Sequence, residues 1–128
     1  MGEDWPPVRK WHRAVNERDF DAARSVSADG ILLGGPRGET TGITLLLDWI
    51  GHSGIRLTPV SWHPVDEETV VVEQDATWPG RPDAGSGSAP VRLATLFRVE
   101  DGRVTAVLRF DGLDAALAAA GSRGPAAQ

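Results

Sequence analysis

Near the start of the chain Val8, Trp11 and Val15 recur at i, i+3 and i+7, a spacing that predicts one buried helical face. Pro6 and Pro7 suit the first turn of that helix, where a missing N–H costs nothing. Arg9, Lys10, His12 and Arg13 fill the other positions, so His12 is expected on the exposed side. Asn16-Glu17-Arg18 breaks the pattern. Asp19 is placed to cap a second helix with Phe20, Ala23 and Val26 facing inward. Asp29-Gly30 reads as a turn, Ile31-Leu32-Leu33 as a short strand, and Gly34 to Gly38 as a loop. Thr40 or Thr41 is then expected to cap a third helix whose stripe is Ile43, Leu46, Leu47 and Ile50, with Trp49 at its edge.

Beyond that helix the period changes to two. Residues 56–63 and 69–78 read as strands; in the second, Val70, Val72, Gln74, Ala76 and Trp78 share one face and Val71, Glu73, Asp75 and Thr77 the other. Residues 79–90, rich in Gly, Ser, Pro and Asp, read as a long mobile loop. Two more strands, 91–100 and 103–110, are joined by Asp101-Gly102, a strong two-residue hairpin signal. A tight turn there pairs Glu100 with Arg103, Phe97 with Ala106, Thr95 with Leu108 and Leu93 with Phe110. One face is then apolar, and the other carries Arg92, Arg98 and Arg109. Asp111 can cap a last helix containing Leu113 and Leu117 and ended by Gly121. Residues 1–5 and 121–128 are expected to be flexible, leaving one domain over 6–120. Helices followed by a run of strands predict an α+β fold with the helices on one face of a mainly antiparallel sheet.

A length of 128 residues suits one domain with its own core. The chain has no cysteine, which excludes disulfides, thiolate metal sites and a cysteine nucleophile, and suits a cytoplasmic setting. Net charge is −5 and the 13 basic residues are scattered, so no nucleic-acid partner is expected. All of them but Lys10 are arginine, read as codon bias in a GC-rich, bacterial genome. Residues 1–10 include Glu3, Asp4, Pro6 and Pro7, unlike a signal peptide, and no apolar stretch approaches the ~20 residues of a membrane span. His12, His52 and His63 lack the spacings of metal ligands, so neither a metal nor another cofactor is expected. No Gly-x-Ser-x-Gly occurs, and the 34–38 loop lacks the Lys-Ser/Thr of a phosphate cradle.

Several junctions resemble one known superfamily. Asn16-Glu17-Arg18-Asp19-Phe20-Asp21-Ala22-Ala23 is similar to its first helix junction, and Ser27-Ala28-Asp29-Gly30-Ile31 to the turn into its first strand. Thr41-Gly42-Ile43, Asp101-Gly102-Arg103-Val104 and Phe110-Asp111 resemble its third helix start, final hairpin and last strand end. Their order and spacing over roughly residues 6–120 mark the chain as resembling the nuclear transport factor 2-like (SnoaL-like) superfamily. The resemblance implies a conical fold: a bent sheet wraps the N-terminal helices and leaves a cavity open at one end. Members include polyketide cyclases, ketosteroid isomerases, epoxide hydrolases, dehydratases and non-enzymatic binding domains, many of them dimeric through the sheet, so fold does not settle function.

Set beside ketosteroid isomerase, the resemblance puts Trp11 where an oxyanion-hole tyrosine stands, Gly35 (or Gly34, one residue earlier) at the catalytic base, and Thr95 near the second aspartate. Glycine cannot accept a proton, so that isomerisation mechanism is not expected. The leading expectation is a domain that binds a small apolar or aromatic molecule through Trp11, Trp49, Gln74, Thr95 and Arg109. Gln74 stands out because a buried amide in an apolar strand face needs partners: neighbouring backbone or a ligand. Arg109 reads as a rim arginine or an anion clamp. A cyclase, dehydratase or hydrolase is the alternative, with Asp111 or Asp75 as acid or base, although alternation puts Asp75 opposite the apolar face and Asp111 can serve as a helix cap. A dimeric protein-interaction scaffold is the third reading, with Trp62 a possible interface residue; a homodimer is expected in any case.

Overall fold

Helix α1 (Pro6–Glu17) buries Val8, Trp11, His12, Ala14 and Val15. The computed structural model describes residues 5–35, 38–78 and 90–123, so the expected mobile loop and most of both flexible ends lie outside the described residues. Trp5, assigned above to the flexible start, is instead buried, and its carbonyl accepts from the N–H groups of Val8 and Arg9, both at 3.0 Å. Arg18 ends α1 in the left-handed region (φ 57°). Its guanidinium donates to the carbonyls of Val15 at 2.5 Å and Ile55 at 2.9 Å. Asn16 acts in the same way: its amide donates to Leu57 O and its oxygen accepts from Leu57 N–H, both at 2.8 Å. These bonds pin the end of α1 onto the third strand.

Helix α2 (Phe20–Val26) starts at Asp19, whose Oδ1 accepts from the N–H of Ala22 at 3.1 Å. Ala23 and Val26 face inward as expected, but Phe20 is 44% exposed and lies against Gly51. The first strand is longer than Ile31–Leu33. Strand β1 (Ser27–Gly35) turns back into β2 (Gly38–Thr41), with Leu32 opposite Thr41 and Gly34 opposite Glu39. Thr40 and Thr41 therefore belong to a strand and cap nothing. The cap of α3 (Ile43–Ser53) is Gly42 at φ 122°, a backbone angle that threonine rarely adopts.

Strands β3 (Arg56–Pro64), β4 (Thr69–Thr77), β5 (Val91–Glu100) and β6 (Arg103–Phe110) complete a six-stranded sheet in the order β2-β1-β6-β5-β4-β3. Only β1 and β6 pair in parallel; the other neighbours are antiparallel. Four helices on a curved, open, mainly antiparallel sheet make this the α+β architecture expected. Both residues of the Asp101-Gly102 turn have positive φ (54° and 78°), as a tight two-residue hairpin requires.

The register after that turn differs from simple alternation. Glu100 pairs with Arg103 and Val99 with Val104, but Arg98 pairs with Ala106, so Thr105 is an extra residue on β6. Beyond it Phe97 faces Val107, Leu96 faces Leu108 and Thr95 faces Arg109, one residue off the expected Phe97–Ala106 and Thr95–Leu108 pairs. The bulge thus turns Val107 and Arg109 to the concave side of the sheet. Leu108 and Phe110 go to the convex side, where they join Val71, Ala94 and Leu96 beneath Ala116 and Ala120 of α4 (Leu113–Arg123). Helix α4 continues past Gly121, which was expected to end it. The larger core lies on the concave side, between α1, α2, α3 and the sheet.

Candidate functional site

The concave side is not packed solid. A cavity of about 580 Å³ opens there, and Trp11, Trp49, Gln74, Thr95 and Arg109 all line it. These residues come from α1, α3, β4, β5 and β6, so no short stretch of sequence contains the site. Trp11 is fully buried and stacks on Trp49 at 6.2 Å between ring centroids and 18° between planes. Phe97 meets Trp11 edge-on at 5.1 Å. Leu33, Leu46, Ile55, Leu57, Leu93 and Val107 make the rest of the wall apolar. Arg109 is exposed and marks the mouth.

Gln74 and Thr95 are polar groups of the wall, and behind Gln74 stands a residue that the helical pattern misplaced. His12, expected on the exposed side of α1, is only 3% exposed. It lies next to Trp11 and one turn after Val8, and the sheet curves far enough around α1 to enclose that flank too. Its Nδ1–H donates to Val8 O at 2.8 Å. A carbonyl can only accept, so the proton sits on Nδ1 and Nε2 is left as an acceptor. Gln74 Nε2 donates to that His12 Nε2 at 2.7 Å, and Gln74 Oε1 accepts from Thr95 Oγ1 at 2.7 Å. The chain of bonds is neutral and internally satisfied. Burial lowers the His12 pKa to about 4; the Val8 bond opposes that shift and the positive charge of Arg9 adds to it. Trp11 Nε1–H, by contrast, is buried with no hydrogen-bond partner among the described residues.

Neither expected carboxylate lines the cavity. Asp75 sits on the convex face, where Arg92 donates to it at 2.5 Å and also reaches Glu73 at 3.6 Å. Asp111 is exposed at the end of β6, outside the lining. The carboxylate that does line it is Glu39, on strand β2, between the expected 34–38 loop and the expected Thr40 or Thr41 helix cap. Glu39 lies directly opposite Gly34, and both residues line the cavity with Gly35.

Contacts at the two glycines differ. A Cβ on Gly34 would lie 2.7 Å from Glu39 Cγ, and 3.0 Å from both Gly38 O and Leu108 Cδ2. On Gly35 its nearest neighbour would be Arg109 O at an ordinary 3.6 Å. Gly34→Ala is therefore expected to cost about 1–3 kcal/mol by overpacking, while Gly35→Ala stays within about 0.5 kcal/mol. Chemical denaturation of both variants checks this; equal effects would contradict the steric account.

A bent sheet closed on one side by helices around an apolar hollow is the nuclear transport factor 2-like fold. The chain belongs to the SnoaL-like domain family, whose model matches residues 8–107. No curated protein matches the sequence. Among solved structures, a nuclear transport factor 2-like protein of unknown function from Cytophaga hutchinsonii aligns with TM-score 0.67 and 16% identity over 80% of this chain and 84% of its own. One from Burkholderia pseudomallei aligns with TM-score 0.65 and 20% identity over 85% and 90%. A protein described as a candidate polyketide cyclase from Xanthomonas campestris aligns with TM-score 0.68 and 22% identity over 88% and 93%. These likenesses establish the fold. No described helix is long and apolar enough to cross a membrane.

Proposed function

We propose that the cavity binds a small apolar or aromatic molecule carrying an acidic or oxygen-bearing group that reaches Arg109. The observation behind this reading is the convergence of two stacked tryptophans, an apolar wall and one rim arginine on a space of about 580 Å³, within the ~300–1,000 Å³ usual for small-ligand sites. A ligand oxygen would also give the unpartnered Trp11 N–H an acceptor. The Gln74–Thr95–His12 chain holds the floor in one arrangement, which lowers the ordering cost of binding. A cytoplasmic setting and a homodimer go with this reading. Pairing would use the charged β3–β4–β5 part of the convex face, since α4 covers the apolar remainder.

Mass spectrometry of co-purified small molecules tests the proposal, followed by titration with 2-naphthoate and neutral 2-naphthol. Arg109→Ala is expected to weaken naphthoate about tenfold, roughly the 1.4 kcal/mol of one rim charge, and to leave naphthol unchanged. Trp49→Ala is expected to weaken both. A protein that carries no small molecule and binds neither probe would overturn the reading.

Glu39 supports a second reading, an enzyme of the cyclase, dehydratase or hydrolase kind. It is the only carboxylate among the described residues of the lining, so it is the group placed to move a proton there. Glu39→Gln then keeps ligand affinity and abolishes turnover of the identified ligand. Turnover that survives the substitution removes Glu39 from the chemistry.

A further inference from the structure

A second cleft, of about 470 Å³, opens on the other side of α1, between that helix and β3. Arg9, Arg13 and Arg56 line it, and the only acidic residue among the described residues of the lining is Glu17. This local excess of positive charge stands out in a chain of net charge −5. Arg9 lies over the Trp62 ring, 4.6 Å from its centroid. The side chains of Arg13 and Arg56 are exposed and form no hydrogen bond or ion pair among the described residues. Asn16 is no competitor for a ligand, because its amide is committed to Leu57. The guanidinium groups of Arg13 and Arg56 repel one another across this concavity, and a single glutamate offsets only part of that repulsion. Their planar forks match the oxygen atoms of phosphate and carboxylate groups.

We propose that this cleft binds a small oxyanion, a phosphate ester or a polycarboxylate, held by Arg13 and Arg56 beside Trp62. The site is distinct from the apolar cavity, although the two share His12: its ring lines the cleft, and its Nε2 bonds to Gln74 of the cavity wall. The size of the cleft and the scatter of the remaining basic residues fit a small molecule better than a nucleic acid, which needs an extended basic track.

Calorimetric titration with pyrophosphate and with citrate, at fixed ionic strength, tests the proposal. One-to-one saturable binding of at least one probe is expected. The Arg13→Ala/Arg56→Ala pair should weaken it tenfold or more, and the Arg24→Ala/Arg103→Ala pair, which removes exposed arginines elsewhere, should leave it unchanged. Both pairs alter exposed side chains, so both should fold. The probe that binds identifies the source as phosphate or carboxylate. Arg109→Ala should leave this binding intact, which separates it from the apolar cavity. No saturable binding of either probe, or equal loss in the two double variants, would overturn the proposal; equal loss would mean diffuse surface attraction only.

Discussion

Acidification from pH 7 to pH 4 is expected to remove about 3 kcal/mol of folding stability through His12 alone. In the unfolded chain this histidine titrates at its ordinary 6.5, whereas in the fold its pKa is about 4. Above pH 6.5 it is neutral in both states and contributes no slope. Below 6.5 the unfolded chain takes up a proton that the fold refuses, so stability falls as the pH drops and levels off near pH 4. Each pH unit in that window is worth about 1.4 kcal/mol. Urea unfolding at pH 7, 5.5 and 4, on the native chain and on His12→Gln, isolates the effect. The variant differs only at residue 12, so contributions common to both proteins cancel in the difference. The native chain should lose about 3 kcal/mol more than the variant; parallel pH profiles would show that His12 accepts its proton inside the fold. Once His12 Nε2 carries a proton, it no longer accepts from Gln74. The amide must then turn, and its oxygen leaves Thr95, so the cavity floor and the acid sensitivity share one cause.

The fold was largely legible because its signals are local. The α1 stripe, the Asp19 cap and the alternation of β4 each depend on a few neighbouring residues, and each appears where expected. Where sequence reading failed, the deciding partner was distant in the chain. His12 is buried because Gln74, sixty-two residues away, bonds to it; nothing within one helical turn announces that. Arg109 reaches the concave face because Thr105 bulges, and alternation counted from the Asp101-Gly102 turn puts it on the other side. β2 was hidden because a Gly-rich segment carries little strand propensity, and pairing with β1 overrides that. Glu39 disappeared with it.

The five proposed binding residues were named for different reasons, and the sheet's curvature and the bulge bring them to one space. Trp11 and Trp49 follow from helical stripes, and Gln74 from a break in an apolar face. Thr95 came from a resemblance, and Arg109 was poised between rim and clamp. The carboxylates fared differently: Asp75 obeys alternation and pairs with Arg92, so the acidic group at the cavity is one that no periodic pattern marked.

Trp11→Ala is expected to cost about 3–5 kcal/mol, the range for truncating a large buried aromatic side chain. In a chain of 128 residues that corresponds to a fall in melting temperature on the order of 10–20 °C. The loss is large because Trp11 joins the two halves of the site: it stacks on Trp49 of α3 and meets Phe97 of β5. Trp11→Phe should cost much less, under about 2 kcal/mol. It keeps most of the ring contacts and removes an N–H whose burial without a partner costs about 1–3 kcal/mol. Both variants remove that N–H, so the difference between them measures the ring contacts alone. Adding 2-naphthoate extends the test to function. If a ligand oxygen accepts from the indole, the native chain gains more thermal stability from the probe than Trp11→Phe does. Equal gains would mean that Trp11 serves the cavity as a wall and donates nothing to its occupant.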